Sequence, residues 1–123
     1  MSINKTIKRG EIYYAKLNGI GNQQIGTRPV IVYSNNINNK FSPIINVIPL
    51  STELKDLCVH VKIEGCGLKA PSMAMAEQIT TINKDQLLNK IGKLKSLQLD
   101  MLDDAIDIQF ARDIYRKDSK VVA

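Results

Sequence analysis

The 123-residue sequence holds one histidine, two cysteines, six aromatic residues and no tryptophan. With His60 alone, a ribonuclease mechanism built on two histidines is excluded. Cys58 and Cys66 are too few to staple a secreted mini-protein, so reduced thiols in the cytoplasm are expected. Cys58, His60 and Cys66 form no C-x-x-C pair and have no fourth ligand in view, which speaks against zinc. No apolar run approaches the ~20 residues of a membrane-spanning helix. The opening Met1-Ser2-Ile3-Asn4-Lys5 has no apolar stretch like that of a signal peptide. Phosphate-cradling GxxxxGK[ST] and GxGxxG loops are missing; Gly19-Ile20-Gly21 is only a fragment of one. No metal, cofactor or membrane is expected.

What remains is an ordinary globular composition, 44% hydrophobic and 24% charged, of a length suited to one domain over residues 1–123. The charge is uneven. Seventeen basic and twelve acidic residues give a net +5. Residues 1–95 carry 13 basic and 6 acidic side chains, and residues 96–123 carry 4 and 6. A basic body with a mildly acidic end suits a polyanionic partner, because bound Lys and Arg release counterions from phosphates.

Residues 11–17 are β-branched and aromatic enough for a strand. Three glycines make residues 18–27 a loop. Pro29-Val30-Ile31-Val32-Tyr33 is an apolar run suited to a strand buried on both faces. The asparagine-rich residues 35–39 read as a loop, and residues 44–50 as a third strand that ends or sits at an edge at Pro49. Residues 58–64 alternate as a half-buried strand, broken by Gly65-Cys66-Gly67. Residues 72–82 hold one or two more strands. A short helix is expected from 83 or 84 to 89, then a brief extended piece over 91–94. Ser96 is the expected N-cap of a long helix to about Arg116. Its apolar stripe is Leu99, Leu102, Ile106, Phe110 and Ile114, widened by Met101, Ala105 and Ile108. The order predicts a mainly β fold of five to seven strands, a strongly curved sheet or small barrel closed by a C-terminal helix.

Few side chains offer chemistry. Asp100, Asp103, Asp104 and Asp107 read as the solvated face of the helix rather than a cation site. His60, flanked by Val59 and Val61, reads as a surface or satisfied histidine. Arg28 follows the glycine loop and precedes a buried strand, where its planar fork suits a phosphate; a surface ion pair is the plainer alternative. Ser51 ends the third strand, where a serine is commonly a turn residue.

Four segments resemble, in order and spacing, the MazF/PemK family of toxin endoribonucleases. Lys8-Arg9-Gly10-Glu11-Ile12-Tyr13-Tyr14-Ala15 is similar to the family's RGDVYYADL strand. Gly21-Asn22-Gln23-Gln24-Ile25-Gly26-Thr27-Arg28-Pro29-Val30 is similar to its GSEQGGxRPV loop and strand. Asn35-Asn36-Ile37-Asn38-Asn39-Lys40-Phe41-Ser42-Pro43 resembles NDIGNRFSPT, and Glu77-Gln78-Ile79-Thr80-Thr81-Ile82 resembles EQIRTI. The resemblance implies an SH3-like fold of the CcdB/PemK/MazF type and a homodimer. It also implies a ribosome-independent, metal-independent enzyme that cuts single-stranded mRNA at short sequences. The family's catalytic arginine falls on Arg28, and its hydroxyl partner on Ser51, with Thr52 one residue on as the alternative. Substrate-binding positions fall on Asn22, Gln23, Gln24, Thr27 and Gln78. An acidic antitoxin segment lying over the RNA groove is implied. DNA contact is implied only through the toxin–antitoxin complex that regulates its own operon. Two departures stand out: the family's loop glutamate is Gln23 here, and its threonine is Ser51. A non-catalytic RNA-binding barrel and a gyrase poison of the same fold are the rival functions. Six aromatics leave little for a stacking platform, and the retained Arg28 and Ser51 speak against both rivals.

Overall fold

Side chains alternate along a strand, so an apolar run without alternation must be covered on both faces. Val30, Ile31 and Val32, each 0% exposed, meet that condition. The computed structural model describes residues 6–19 and 26–112. In chain order its elements are β1 (Glu11–Leu17), β2 (Gly26–Val32), α1 (Asn36–Phe41), β3 (Ile44–Ser51), β4 (His60–Ile63), β5 (Ser72–Met75), β6 (Thr80–Asn83), β7 (Leu87–Lys93) and α2 (Ser96–Gln109). The strands form one sheet in the order β4-β5-β3-β2-β1-β7, with β6 paired to β3, and every pairing is antiparallel.

Alternation sorts the buried residues into two cores. Ile12, Ile31, Ile48 and Leu50 pack with Val61 and Ile63 beneath Leu102, Ala105 and Ile106 of α2. Tyr13, Leu17, Val30, Val32, Ile45 and Val47 face the other way, where Ile82 and Leu87 cover them as the sheet curls. The Arg9 guanidinium reaches Asp103 of α2 at 2.5 Å and lies 4.6 Å over the Tyr33 ring. Tyr33 donates its hydroxyl to the same carboxylate, so one aspartate ties α2 to the end of β2.

The expected closure takes a different form. The hydrogen-bonded sheet stays open, with β4 and β7 at its ends. The turn Gly65-Cys66-Gly67 instead presses its backbone on β7. A Cβ on Gly92 would lie 2.0 Å from the Cys66 carbonyl oxygen, and one on Gly67 would lie 2.2 Å from that of Ile91.

Several element boundaries differ from expectation, each for a local reason. β3 runs through Pro49 to Ser51 in the sheet's interior, because Pro49 sits where β3 exchanges β6 for β5 on one side. Residues 36–41 are a helix rather than a loop: the Asn35 side chain accepts from the Asn38 N–H at 2.8 Å and caps it. Buried Asn39 donates to the Ser34 carbonyl at 2.7 Å. The short helix expected to reach residue 89 is a single turn, Lys84–Gln86, after which β7 pairs with β1. Its exit is set by Gln86, whose side chain accepts from the Asn83 N–H and donates to the Lys16 carbonyl.

α2 starts at Ser96 itself, with Lys95 at the cap. It stops at Gln109, because Ala111 takes a left-handed φ of 61°. Phe110 is therefore a C-cap residue, 55% exposed, and Met101 and Ile108 point away from the core. Ile114 and Arg116 lie outside the described residues. No helix among the described residues is long and apolar enough to cross a membrane.

Candidate functional site

β2 begins at Gly26, so Arg28 stands within the strand rather than ahead of it. Two residues separate Arg28 from Val30, and an even step keeps both side chains on the face of the second core. Val30 pairs with Pro49 across β2 and β3. The pairing ends there, with Arg28 and Ser51 each two residues further along their strands. Alternation from Pro49 turns Ser51 to the same face. Ser51 is held from two sides: its backbone pairs with Met73 of β5, and its Oγ accepts from the Glu53 N–H at 3.1 Å. Thr52 lies beyond the strand and is exposed.

On this face lies a cleft of about 160 Å³, lined by Leu17, Pro49, Gln78, Thr80, Thr81 and Gln86 among others. Its walls come from the end of β1, Pro49 of β3, the turn that carries Gln78, β6 and Gln86, and neither Arg28 nor Ser51 lines it. Its polar lining includes the amides of Gln78 and Gln86 and the hydroxyls of Thr80 and Thr81, groups that both donate and accept. Gln78 belongs to the turn Ala76–Gln78 and rests its amide on the Met75 sulfur at 3.7 Å. Thr27, one step from Arg28, is exposed and directed to the opposite face by alternation. Asn22, Gln23 and Gln24 lie outside the described residues.

Other candidates are accounted for structurally. Asp103 is engaged by Arg9 and Tyr33, and Asp107 by Arg112 at 3.6 Å. Among the described residues no group of three His, Cys, Asp or Glu side chains could hold a metal. Cys58 and Cys66 are free thiols.

His60 is a satisfied histidine, as expected, with partners at both ring nitrogens. Its Nδ1 lies 2.7 Å from the Lys55 carbonyl and its Nε2 lies 2.8 Å from the Glu77 carboxylate, next to Gln78. Sequence reasoning passed over this pair, which is separated by 17 residues. Thr80, Thr81 and Gln86 of the cleft were not singled out either. Polar residues at strand ends carry no signature until the sheet curls them together.

A family model described as PemK-like, MazF-like toxin of type II toxin–antitoxin system matches residues 8–110. Endoribonuclease EndoA of Bacillus subtilis is 37% identical over 110 residues, covering 85% of this chain and 95% of that one. Endoribonuclease MazF of Staphylococcus saprophyticus is 33% identical over 107 residues, covering 83% and 89%. Among solved structures, the Mycobacterium tuberculosis toxin MazF-mt6 superposes with a TM-score of 0.73 at 25% identity, covering 82% of this chain and 96% of that one.

Proposed function

The chain belongs to the PemK-like, MazF-like toxin family of type II toxin–antitoxin systems, and from that premise we propose that it is a cytoplasmic endoribonuclease cutting single-stranded mRNA independently of the ribosome. The observation that supports the proposal is that Arg28 of β2 and Ser51 of β3 stand two residues beyond the Val30–Pro49 pair, with Pro49 lining a cleft of amides and hydroxyls.

In the proposed reaction a ribose 2′-oxygen attacks the adjacent phosphorus while the bond to the 5′-oxygen breaks. The 2′-OH proton is lost and the leaving 5′-oxygen gains one. The products are a 2′,3′-cyclic phosphate, or its hydrolysed 3′-phosphate, and a 5′-OH. Charge gathers on the two non-bridging oxygens, where the Arg28 fork donates to both and the Ser51 hydroxyl adds a third donor. Gln78 and the threonines hold the neighbouring bases. Substrate alignment and electrostatic stabilisation are the main contributions, since His60 is engaged at both nitrogens and Gln23 brings no carboxylate.

A second copy of the chain and an acidic antitoxin segment are the proposed protein partners. α2 supports the dimer: Leu97, Met101 and Ile108 follow one another at helical spacing on a face opposite the core and are 69%, 46% and 41% exposed. Incubation with one long purified RNA tests the activity. Cleavage that persists in EDTA at mapped single-stranded sites, leaving 5′-OH ends, is expected. Cleavage that needs added Mg²⁺, or an all-DNA strand cut equally well, would overturn the reading, because DNA lacks the nucleophile.

A further inference from the structure

We propose that His60 is a positioning residue for RNA cleavage: its ring fastens the connection behind Ser51 to the turn that carries Gln78. The inference rests on the endoribonuclease reading and extends it to a residue that does not touch substrate. The His60 side chain is 4% exposed, so it is closed to RNA.

A path of hydrogen bonds runs from Ser51 to Glu77, the residue before Gln78. The Glu53 N–H donates to Ser51 Oγ at 3.1 Å, and the Lys55 N–H donates to the Glu53 carbonyl at 2.9 Å. His60 Nδ1 lies 2.7 Å from the Lys55 carbonyl oxygen, and Nε2 lies 2.8 Å from Glu77 Oε2. Glu77 and Gln78 are consecutive in one turn.

The surrounding chain shows why such a fastening is needed. Residues 52–58 belong to no helix or strand and are all exposed, with Leu54 51% and Leu57 41% exposed. Burial therefore contributes little to fixing them. Their order comes from local turns and from His60, whose own backbone N–H is held by the Leu57 carbonyl at 2.9 Å. β4 in turn is fixed by its ladder to β5, where His60 pairs with Met75. The ring thus transmits the rigidity of the sheet to both the Ser51 hydroxyl and Gln78. A misplacement of about 1 Å at a reacting centre costs ~10²-fold in rate.

The test uses the full-length protein and a short RNA spanning one mapped wild-type cleavage site. In His60→Ala, kcat should fall roughly 10²-fold, and KM should rise by less than kcat falls, because the turn of Gln78 loosens while no RNA contact is deleted. Glu77→Ala should do the same. The double variant should be no worse than either single one, since the two side chains act as a unit. His60→Gln, which keeps one donor, should recover part of kcat. Thermal melts identify variants that remain folded, and hydrogen exchange over residues 52–58 should quicken in His60→Ala and Glu77→Ala while the β2 and β3 amides stay protected. A kcat within twofold of wild type, a loss residing wholly in KM, multiplicative single effects, or unchanged exchange over residues 52–58 would each overturn the proposal. Wild-type protein that cleaves no RNA would instead overturn the endoribonuclease reading, and the exchange measurement would still decide whether His60 fastens the connection.

Discussion

At the scale of single residues, Arg28 and Ser51 carry the largest expected effects. Losing one transition-state donor costs ~10²–10³ in rate, so Arg28→Ala should lose at least that while its thermal melt stays near wild type, as expected for an exposed side chain. Arg28→Lys should recover little, because a point charge cannot bind two phosphate oxygens as a planar fork does. A folded Arg28→Ala protein that cuts near the wild-type rate would remove Arg28 from the site. The sequence marks Arg28 as a candidate through the contiguous segment 21–30, and Ser51 only through its place at the end of the third strand. The fastening by His60 was not legible there, since it depends on a fold that brings residues 55, 60 and 77 together. Away from the site, burial and the neighbouring Glu11 charge push the Tyr13 hydroxyl up to about 12. Glu11 is itself held by Lys90 at 2.7 Å. A pKa raised by folding contributes stability that is complete below the ordinary value near 10 and is lost as pH rises towards 12. Urea midpoints measured from pH 9 to 12 should therefore fall more steeply for wild type than for Tyr13→Phe, by roughly 2–3 kcal/mol over the interval. Parallel curves would show that Tyr13 does not titrate differently in the fold.

At the scale of elements, the approach of the Gly65-Cys66-Gly67 turn to β7 is what brings the two ends of an open sheet together. Three substitutions separate its causes. Gly65→Ala adds a side chain into open space, so its cost is that of a left-handed φ of 75°, about 1–2 kcal/mol. Gly92→Ala meets the Cys66 carbonyl at 2.0 Å with no positive φ to blame, and the atom in its way is backbone that cannot swing aside. Gly67→Ala suffers both. Chemical denaturation should rank stability as wild type, then Gly65→Ala, then Gly92→Ala, with Gly67→Ala lowest. Gly92→Ala as stable as Gly65→Ala would mean that the turn can lift from β7 at little cost. The sequence marked this turn as a break but not what it touches. It also made β2 legible, because a run of apolar β-branched residues needs no partner to be recognised. Asparagine-rich α1 and the strand after Gln86 were misread for a common reason. Both are defined by one side chain capping a nearby backbone group, Asn35 in α1 and Gln86 before β7, and such bonds leave no periodicity to find.

At the scale of the whole molecule, two surfaces of opposite character remain to be covered. Basic residues outnumber acidic ones 13 to 6 before residue 96, an asymmetry visible in the sequence and enough to favour a polyanion. The apolar face of α2 was half visible: the stripe was found, but Met101 and Ile108 were placed in the core because period alone does not say which of two apolar faces a sheet will take. With Leu97 they lie exposed, the kind of self-complementary patch that a two-fold dimer buries. Sedimentation at micromolar concentration should give a dimer, and Leu97→Glu with Met101→Glu should give a folded monomer. A wild-type monomer under those conditions would remove the dimer. The basic excess makes a linked forecast, because an acidic antitoxin segment and RNA would draw on the same cations. A 2′-O-methyl RNA that cannot be cut should compete with the antitoxin segment for the protein. Raising salt fourfold should weaken the RNA roughly 20-fold if three phosphates are neutralised, on a slope of ~0.7 per phosphate, and should weaken the acidic segment as well. Simultaneous binding of both with undiminished affinity would show that the antitoxin inhibits from elsewhere, and α2 would then be the surface to probe next.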